Sequence, residues 1–249
     1  MSAPFPPIEP RGGTALWERY LRAGIVRADS DESESGEVVG VGGRLDPVSL
    51  VAAYRAGVFP MGLGEGGSPP MGWWCPRWRG VLLPGNAHVS RSLRRALRRY
   101  TVTVDHSFAD VVAACGDPDR EGAWITDSVA LAYGQLHELG WAHSIEVRDE
   151  SGDLVGGLYG VAVNGLFAGE SMFHHATDAS KVALVHLDRL IGADGDPRRI
   201  IDVQWSTPHL ASMGIEEIHR REYLARLEQA LQAPPIDFGS APLRPATGP

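Results

Sequence analysis

Ile200-Ile201-Asp202-Val203-Gln204 places an acid and an amide two residues apart in an otherwise apolar run. Side chains alternate along a strand, so Asp202 and Gln204 leave one face and Ile201 and Val203 the other. Polar groups in such a strand need partners, or they form a site. A second acid, Glu170, ends an apolar stretch in Gly169-Glu170-Ser171-Met172-Phe173. A cap or a salt bridge is its alternative role. The same stretch begins like a nucleophile elbow. Phe173 stands where G-x-S-x-G requires its last Gly, which speaks against a serine hydrolase. If the two strands lie side by side, Glu170, Asp202 and Gln204 converge, and the paired carboxylates suit a cationic substrate.

Three further groups invite attention. Arg91, Arg94, Arg95, Arg98 and Arg99 fall at helical spacing on one face, with Leu93, Ala96, Leu97 and Tyr100 on the other. Like charges so close repel, so either a phosphate backbone or acids from elsewhere must compensate them. Trp73, Trp74, Trp78 and Trp124 read as core or as stacking surfaces for a nucleobase. The His residues show no H-E-x-x-H or comparable ligand spacing, so no metal site is expected. Cys75 and Cys115 read as free thiols in a reducing compartment.

The elements that must position these groups follow from capping and periodicity. Asp46-Pro47 opens a helix ended by Gly57. Others run from Ser90 or Ser92 to Arg99, from Phe108 to Ala114, and from Asp127 to Leu139. From His143 the pattern changes to strands over 144–148, 154–163 and 166–173, with Asn164-Gly165 as a type I′ hairpin turn. A helix over 179–191, a strand over 200–204 and a helix over 222–231 complete the order β-β-β-α-β-α. The expected fold is α+β. Residues 1–41 form an extension with an acidic flexible loop, 42–141 a smaller, mostly helical Trp- and Arg-rich domain, 142–232 an α+β domain, and 233–249 a flexible tail.

The 249 residues, of which 43% are hydrophobic, suffice for one large core or two modest ones. No run of 18 apolar residues and no signal-like start is present, so a cytoplasmic protein off the membrane is expected. The net charge of −8 argues at first against nucleic acid. However, Asp29, Asp31, Glu32, Glu34 and Glu37 cluster in the N-terminal loop. The remainder is then −3, since −8 + 5 = −3. Lys181 is the only Lys.

Many ordered blocks resemble the leucyl/phenylalanyl-tRNA–protein transferase family. They include Ala53-Tyr54-Arg55-Ala56-Gly57-Val58-Phe59-Pro60, Trp73-Trp74-Cys75-Pro76, Gly122-Ala123-Trp124-Ile125-Thr126, Leu166 to Phe173, Asp202-Val203-Gln204, and Pro208 to Gly214. The resemblance covers Gly42 to about Leu227. It implies transfer of Leu or Phe, and Met less well, from aminoacyl-tRNA to proteins with N-terminal Arg or Lys, marking them for N-degron degradation. It implies a GNAT-like C-terminal domain, with an antiparallel-rich mixed sheet and helices. No cofactor is implied, because His174–Lys181 lacks the Gly-rich CoA loop. Asp202 and Gln204 fall at the family's proposed catalytic pair, with Glu170 at the same site. Leu158, Met172, Leu184, Leu187 and Trp124 fall at the aminoacyl pocket. Met61, where the family has Trp, joins Trp73 and Trp74 at the adenosine site. Arg91, Arg94, Arg95, Arg98 and Arg99 fall where tRNA binds. The enzyme is expected to act as a monomer. The alternatives are a CoA-dependent GNAT N-acetyltransferase, a Fem-like transferase of cell-wall peptides, and a non-catalytic tRNA-binding module.

Overall fold

The computed structural model describes residues 37–120 and 122–239. Three short strands, β1 (Val38–Val41), β2 (Phe59–Gly62) and β3 (Met71–Trp74), make an antiparallel sheet in the order β1-β3-β2. Between β1 and β2 lies helix α1 (Pro47–Arg55). Asp46 caps it by accepting the Ser49 N–H at 3.0 Å, Pro47 takes the first helical position, and Gly57, at φ 76°, turns the chain away. Only glycine serves at 57: a Cβ there would lie 2.7 Å from a Leu224 methyl.

A seven-stranded sheet carries the rest. Its strands are β4 (Trp78–Leu82), β5 (Thr101–Val104), β6 (Ala142–Arg148), β7 (Leu154–Val163), β8 (Leu166–His174), β9 (Ile200–Gln204) and β10 (Glu216–His219). They stand in the order β10-β4-β9-β8-β7-β6-β5. Strands β8 and β9 pair parallel, the other neighbours antiparallel. A parallel pair needs a crossover, which is supplied by a 13-residue helix (Ala179–Ile191). The helices of this part are α2 (Arg91–Arg99), α3 (Phe108–Cys115), α4 (Asp127–Glu138), α5 (Ala179–Ile191), α6 (Pro208–Ala211) and α7 (Arg220–Ala230).

Alternation along the strands splits the apolar residues into two cores. Tyr159, Val161, Leu166, Ala168 and Ile200 pack with α1, α3, α4 and α7. Leu158, Phe167 and Ile201 pack with α2 and α5. Helices therefore cover both faces of the sheet.

Several expectations are corrected. The segment 42–141 is not mostly helical: β2 to β5 lie within it, and β4 and β5 are strands of the main sheet. Strand β10 was likewise not foreseen. The Asn164-Gly165 turn is not type I′, because Asn164 has φ 54° but Gly165 does not take a positive φ. Gly165 is required by packing instead. A Cβ there would meet the Ala230 carbonyl oxygen at 2.8 Å. The tail is anchored as far as Gly239. Ile236 N–H donates to the Asn164 carbonyl at 3.1 Å, and Phe238 stacks on His143 at 3.8 Å. Asp29, Asp31, Glu32 and Glu34 of the acidic loop, and tail residues 240–249, lie outside the described residues. Glu37 is described, and its carboxylate accepts the Arg77 N–H at 3.1 Å. Among the described residues no helix is long and apolar enough to cross a membrane.

Candidate active site

Pairing between β8 and β9 ends at Ala168↔Asp202, although both strands continue. Each carries an irregularity just beyond. In β8 the register against β7 passes from Gly160↔Gly169 to Tyr159↔Ser171, so Glu170 is the extra residue of a bulge. In β9 the register against β4 passes from Val81↔Asp202 to Gly80↔Gln204, so Val203 is the extra residue. Bulges re-aim side chains and end pairing. Here they open the sheet where the expected catalytic residues sit.

Glu170 is partly exposed but almost enclosed by protein. Tyr54 of α1 and Tyr133 of α4 each donate to its carboxylate at 2.7 Å, and their hydroxyls lie 2.5 Å apart. Burial pushes the carboxyl up to about 7 against the relief of both tyrosine hydroxyls. The Asp202 charge adds to the rise, and Arg79 subtracts from it. Burial, and then the Glu170 charge, push the pKa of Tyr54 and Tyr133 well up, so both hydroxyls stay protonated donors.

This shift has a sign that can be measured. A carboxyl raised from 4.5 to about 7 favours the fold when protonated. The stability it confers is complete below about 4.5 and is lost as pH rises through about 7. Glu170→Gln is therefore expected to gain in melting temperature over the unmodified protein across that window, with no further change above it. A difference that is flat with pH would refute the assignment.

Asp202 is fully buried, and its partner is Arg79 of β4. Nε donates to Oδ1 at 2.8 Å and Nη2 to Oδ2 at 2.6 Å. Tyr223 adds a hydroxyl on Oδ2 at 2.8 Å, and the Gln204 backbone N–H one on Oδ1 at 2.9 Å. Burial works against the Arg79 charge, but Asp202 and Tyr223 outweigh it and drive its pKa up. Asp202 thus has no oxygen free to attract a cationic substrate, and that expectation is corrected. Gln204 is different. It is 7% exposed, and its Nε2 has no hydrogen-bond partner among the described residues. A buried, unused amide donor beside an opening in a sheet suits a ligand oxygen. Among the described residues no group of three or more His, Cys, Asp or Glu is placed to hold a metal ion.

The comparisons with known proteins now decide the family. A family model described as Leucyl/phenylalanyl-tRNA protein transferase matches residues 81–228, and the model of that family's N-terminal domain matches residues 43–77. The chain belongs to the leucyl/phenylalanyl-tRNA protein transferase family. Named relatives include the Leucyl/phenylalanyl-tRNA--protein transferase of Chromohalobacter salexigens, 49% identical over 207 residues, covering 81% of this chain and 78% of that protein. The enzyme of that name from Azoarcus sp. is 46% identical over 208 residues, covering 82% and 86%. The one from Alkalilimnicola ehrlichii is 43% identical over 223 residues, covering 88% and 84%.

In this transferase the expected aliphatic residues come together. Leu158 and Met172 face each other across β7 and β8, and both pack in the second core with Leu184 and Leu187 of α5. Trp124 lies with the first core instead, where its backbone presses against Gly67. Of the expected adenosine set, Met61 and Trp74 are partly exposed and joined by a hydrogen bond from Trp74 Nε1 to the Met61 carbonyl at 3.0 Å. Trp73 is 2% exposed, with its Nε1 on the Gly42 carbonyl, and offers no open ring face. Arg91, Arg94, Arg95, Arg98 and Arg99 are all exposed, and none is in an ion pair among the described residues. Among the described residues no acid compensates the charge.

Sequence reasoning missed Tyr54, Tyr133, Arg79, Tyr223 and Trp205. Trp205 packs edge-on against Phe59 at 5.0 Å and Trp74 at 5.8 Å. Arg79 did carry a usable signal: like Asp202, it is a charge inside a short apolar strand. The tyrosines carried none, because a Tyr on the inner face of a helix looks like core.

Proposed function

We propose that this enzyme moves Leu or Phe, and Met less well, from aminoacyl-tRNA to the N-terminal Arg or Lys of acceptor proteins, marking them for degradation. The observation that carries this is the buried Gln204 Nε2, unpartnered among the described residues, at the end of β9 just past the point where β8 and β9 part. The aminoacyl ester is already activated, so no covalent nucleophile is required. The acceptor amine, with a pKa near ~8, is partly neutral at pH 7. Its nitrogen attacks the ester carbonyl carbon, and Gln204 Nε2 donates to the oxygen as negative charge grows there. Glu170 draws the cationic acceptor and takes the proton that the amine sheds. The carbon–oxygen bond to the terminal ribose then breaks, and the ribose oxygen leaves with the proton that Glu170 had taken.

Leu158, Met172, Leu184 and Leu187 supply the apolar lining for the aminoacyl side chain. Each methylene adds only about 1–3 kcal/mol of discrimination, which accords with tolerance of Leu, Phe and Met. The exposed arginine face of α2 suits a phosphate backbone. The antiparallel sheet with one parallel pair that separates at its end supports a GNAT-like reading of the catalytic part. Two buried free thiols support a cytoplasmic location, and the enzyme is taken to act as a monomer.

One assay tests the whole. Labelled Phe-tRNA is expected to transfer Phe to an Arg-initiated peptide and not to an Ala-initiated one. The KM for Phe-tRNA should rise steeply with salt. Label on neither peptide would sink the proposal, and a salt-independent KM would remove α2 from it.

A further inference from the structure

We propose that Arg79 is a positioning residue for this transfer, holding Gln204 in place by way of Asp202. The proposal rests on Gln204 being the group that meets the substrate. Its grounds are the number and direction of the bonds around Asp202.

Arg79 is 1% exposed and commits its whole guanidinium to this corner of the fold. Nε and Nη2 form a fork on the Asp202 carboxylate, and Nη1 donates to the Gly57 carbonyl at 3.2 Å. The rings of Phe59 and Tyr223 lie 4.8 and 4.4 Å from its central carbon, one from each part of the chain. With the Tyr223 hydroxyl and the Gln204 N–H, Asp202 accepts four hydrogen bonds and is shut off from solvent. It therefore acts on the reaction through what it holds.

What it holds is unusual. Gln204 has φ 58°, the left-handed conformation that disfavours a residue with a Cβ. A carboxylate bonded to the backbone N–H two residues on compensates for that conformation. The Asp202 Oδ1 to Gln204 N–H contact is such a bond. Strand β4 confines the turn from the other side: a Cβ on Gly80 would lie 3.0 Å from Val203, Trp205 and Ser206 atoms. A planar fork is needed to fix both carboxylate oxygens at once, and a lysine ammonium offers none. Arg79 also falls between the two matched segments, 43–77 and 81–228.

The test compares the full-length unmodified enzyme with Arg79→Lys in the Phe-tRNA and Arg-peptide assay. It is read together with the melting temperature and the ¹⁵N resonance of the Gln204 backbone amide. Arg79→Lys is expected to lower kcat about 10- to 100-fold. Both KM values should stay within about threefold, and the Gln204 amide resonance should move. A merely structural role would lower the melting temperature and leave kcat per folded molecule unchanged. That result, or a fall in kcat with the Gln204 resonance unmoved, overturns the proposal. If Arg79→Lys fails to fold, Tyr223→Phe decides, since it removes one donor to Asp202 and leaves the ion pair. A lower kcat with the same resonance shift supports the proposal, and an unchanged kcat overturns it. Absence of transfer by the unmodified enzyme overturns the reading of the site and this proposal with it. Transfer at an unreduced kcat in Arg79→Lys overturns the proposal alone.

Discussion

Replacing Gln204 by Met is expected to lower kcat by about 10²–10³-fold while leaving the unliganded protein as stable as before, or slightly more so. The two halves of this result have one cause. Among the described residues Gln204 Nε2 is buried without a partner, and a donor in that state costs roughly 1–3 kcal/mol of desolvation. The unliganded protein carries that cost, and the substrate oxygen relieves it, most strongly when that oxygen is negatively charged. Methionine has similar length and bulk and no donor, so it removes the penalty and the catalytic contact together. Calorimetry gives the first half and single-turnover transfer from Phe-tRNA the second. A variant with both normal turnover and raised stability would show that the amide faces no substrate oxygen.

The second large effect falls on stability. Asp202→Ala leaves the Arg79 guanidinium charged, fully buried and without its carboxylate. Breaking one side of a buried pair costs about 3–5 kcal/mol. At roughly 2–4 °C per kcal/mol for a chain of this size, the melting temperature should fall by about 6–20 °C. Replacing both partners, Arg79→Met with Asp202→Leu, should recover much of that loss, because no unpaired charge remains. It should recover no transfer activity, since nothing then secures the Gln204 turn. If Asp202→Ala keeps full activity, Asp202 has no part in the site. If the double replacement is no more stable than the single one, the penalty does not come from the stranded charge.

Glu170 and Asp202 were legible in the sequence for a shared reason: an acid inside an apolar strand is costly unless something answers it. What answers each of them was not legible. Arg79 lies 123 residues from Asp202, and the periodicity of a strand says nothing about a partner so distant. The bulges at Glu170 and Val203 were hidden because register is a property of two strands, not of one. Alternation places Asp202 and Gln204 on one face, yet a bulge and a left-handed residue between strand and loop alter where Gln204 points. Gly165 shows the reverse error. It sits in a strong turn sequence, but the crowding of Ala230 requires it. Strands β1 to β5 escaped notice because each is only four or five residues long.

The carboxylate on β8 is held by hydroxyls from α1 and α4, and the one on β9 by a guanidinium from β4. Tyr54 lies in the N-terminal matched segment, and Glu170 in the other. A cut near residue 78 would therefore take Tyr54 and the Gly57 carbonyl away from the fragment that keeps Glu170, Tyr133, Arg79 and Asp202. Activity would return only when the pieces reassociate. That makes the enzyme a natural frame for a split reporter, in which two fused partners that meet rebuild one tyrosine–glutamate cradle and switch on the labelling of a peptide.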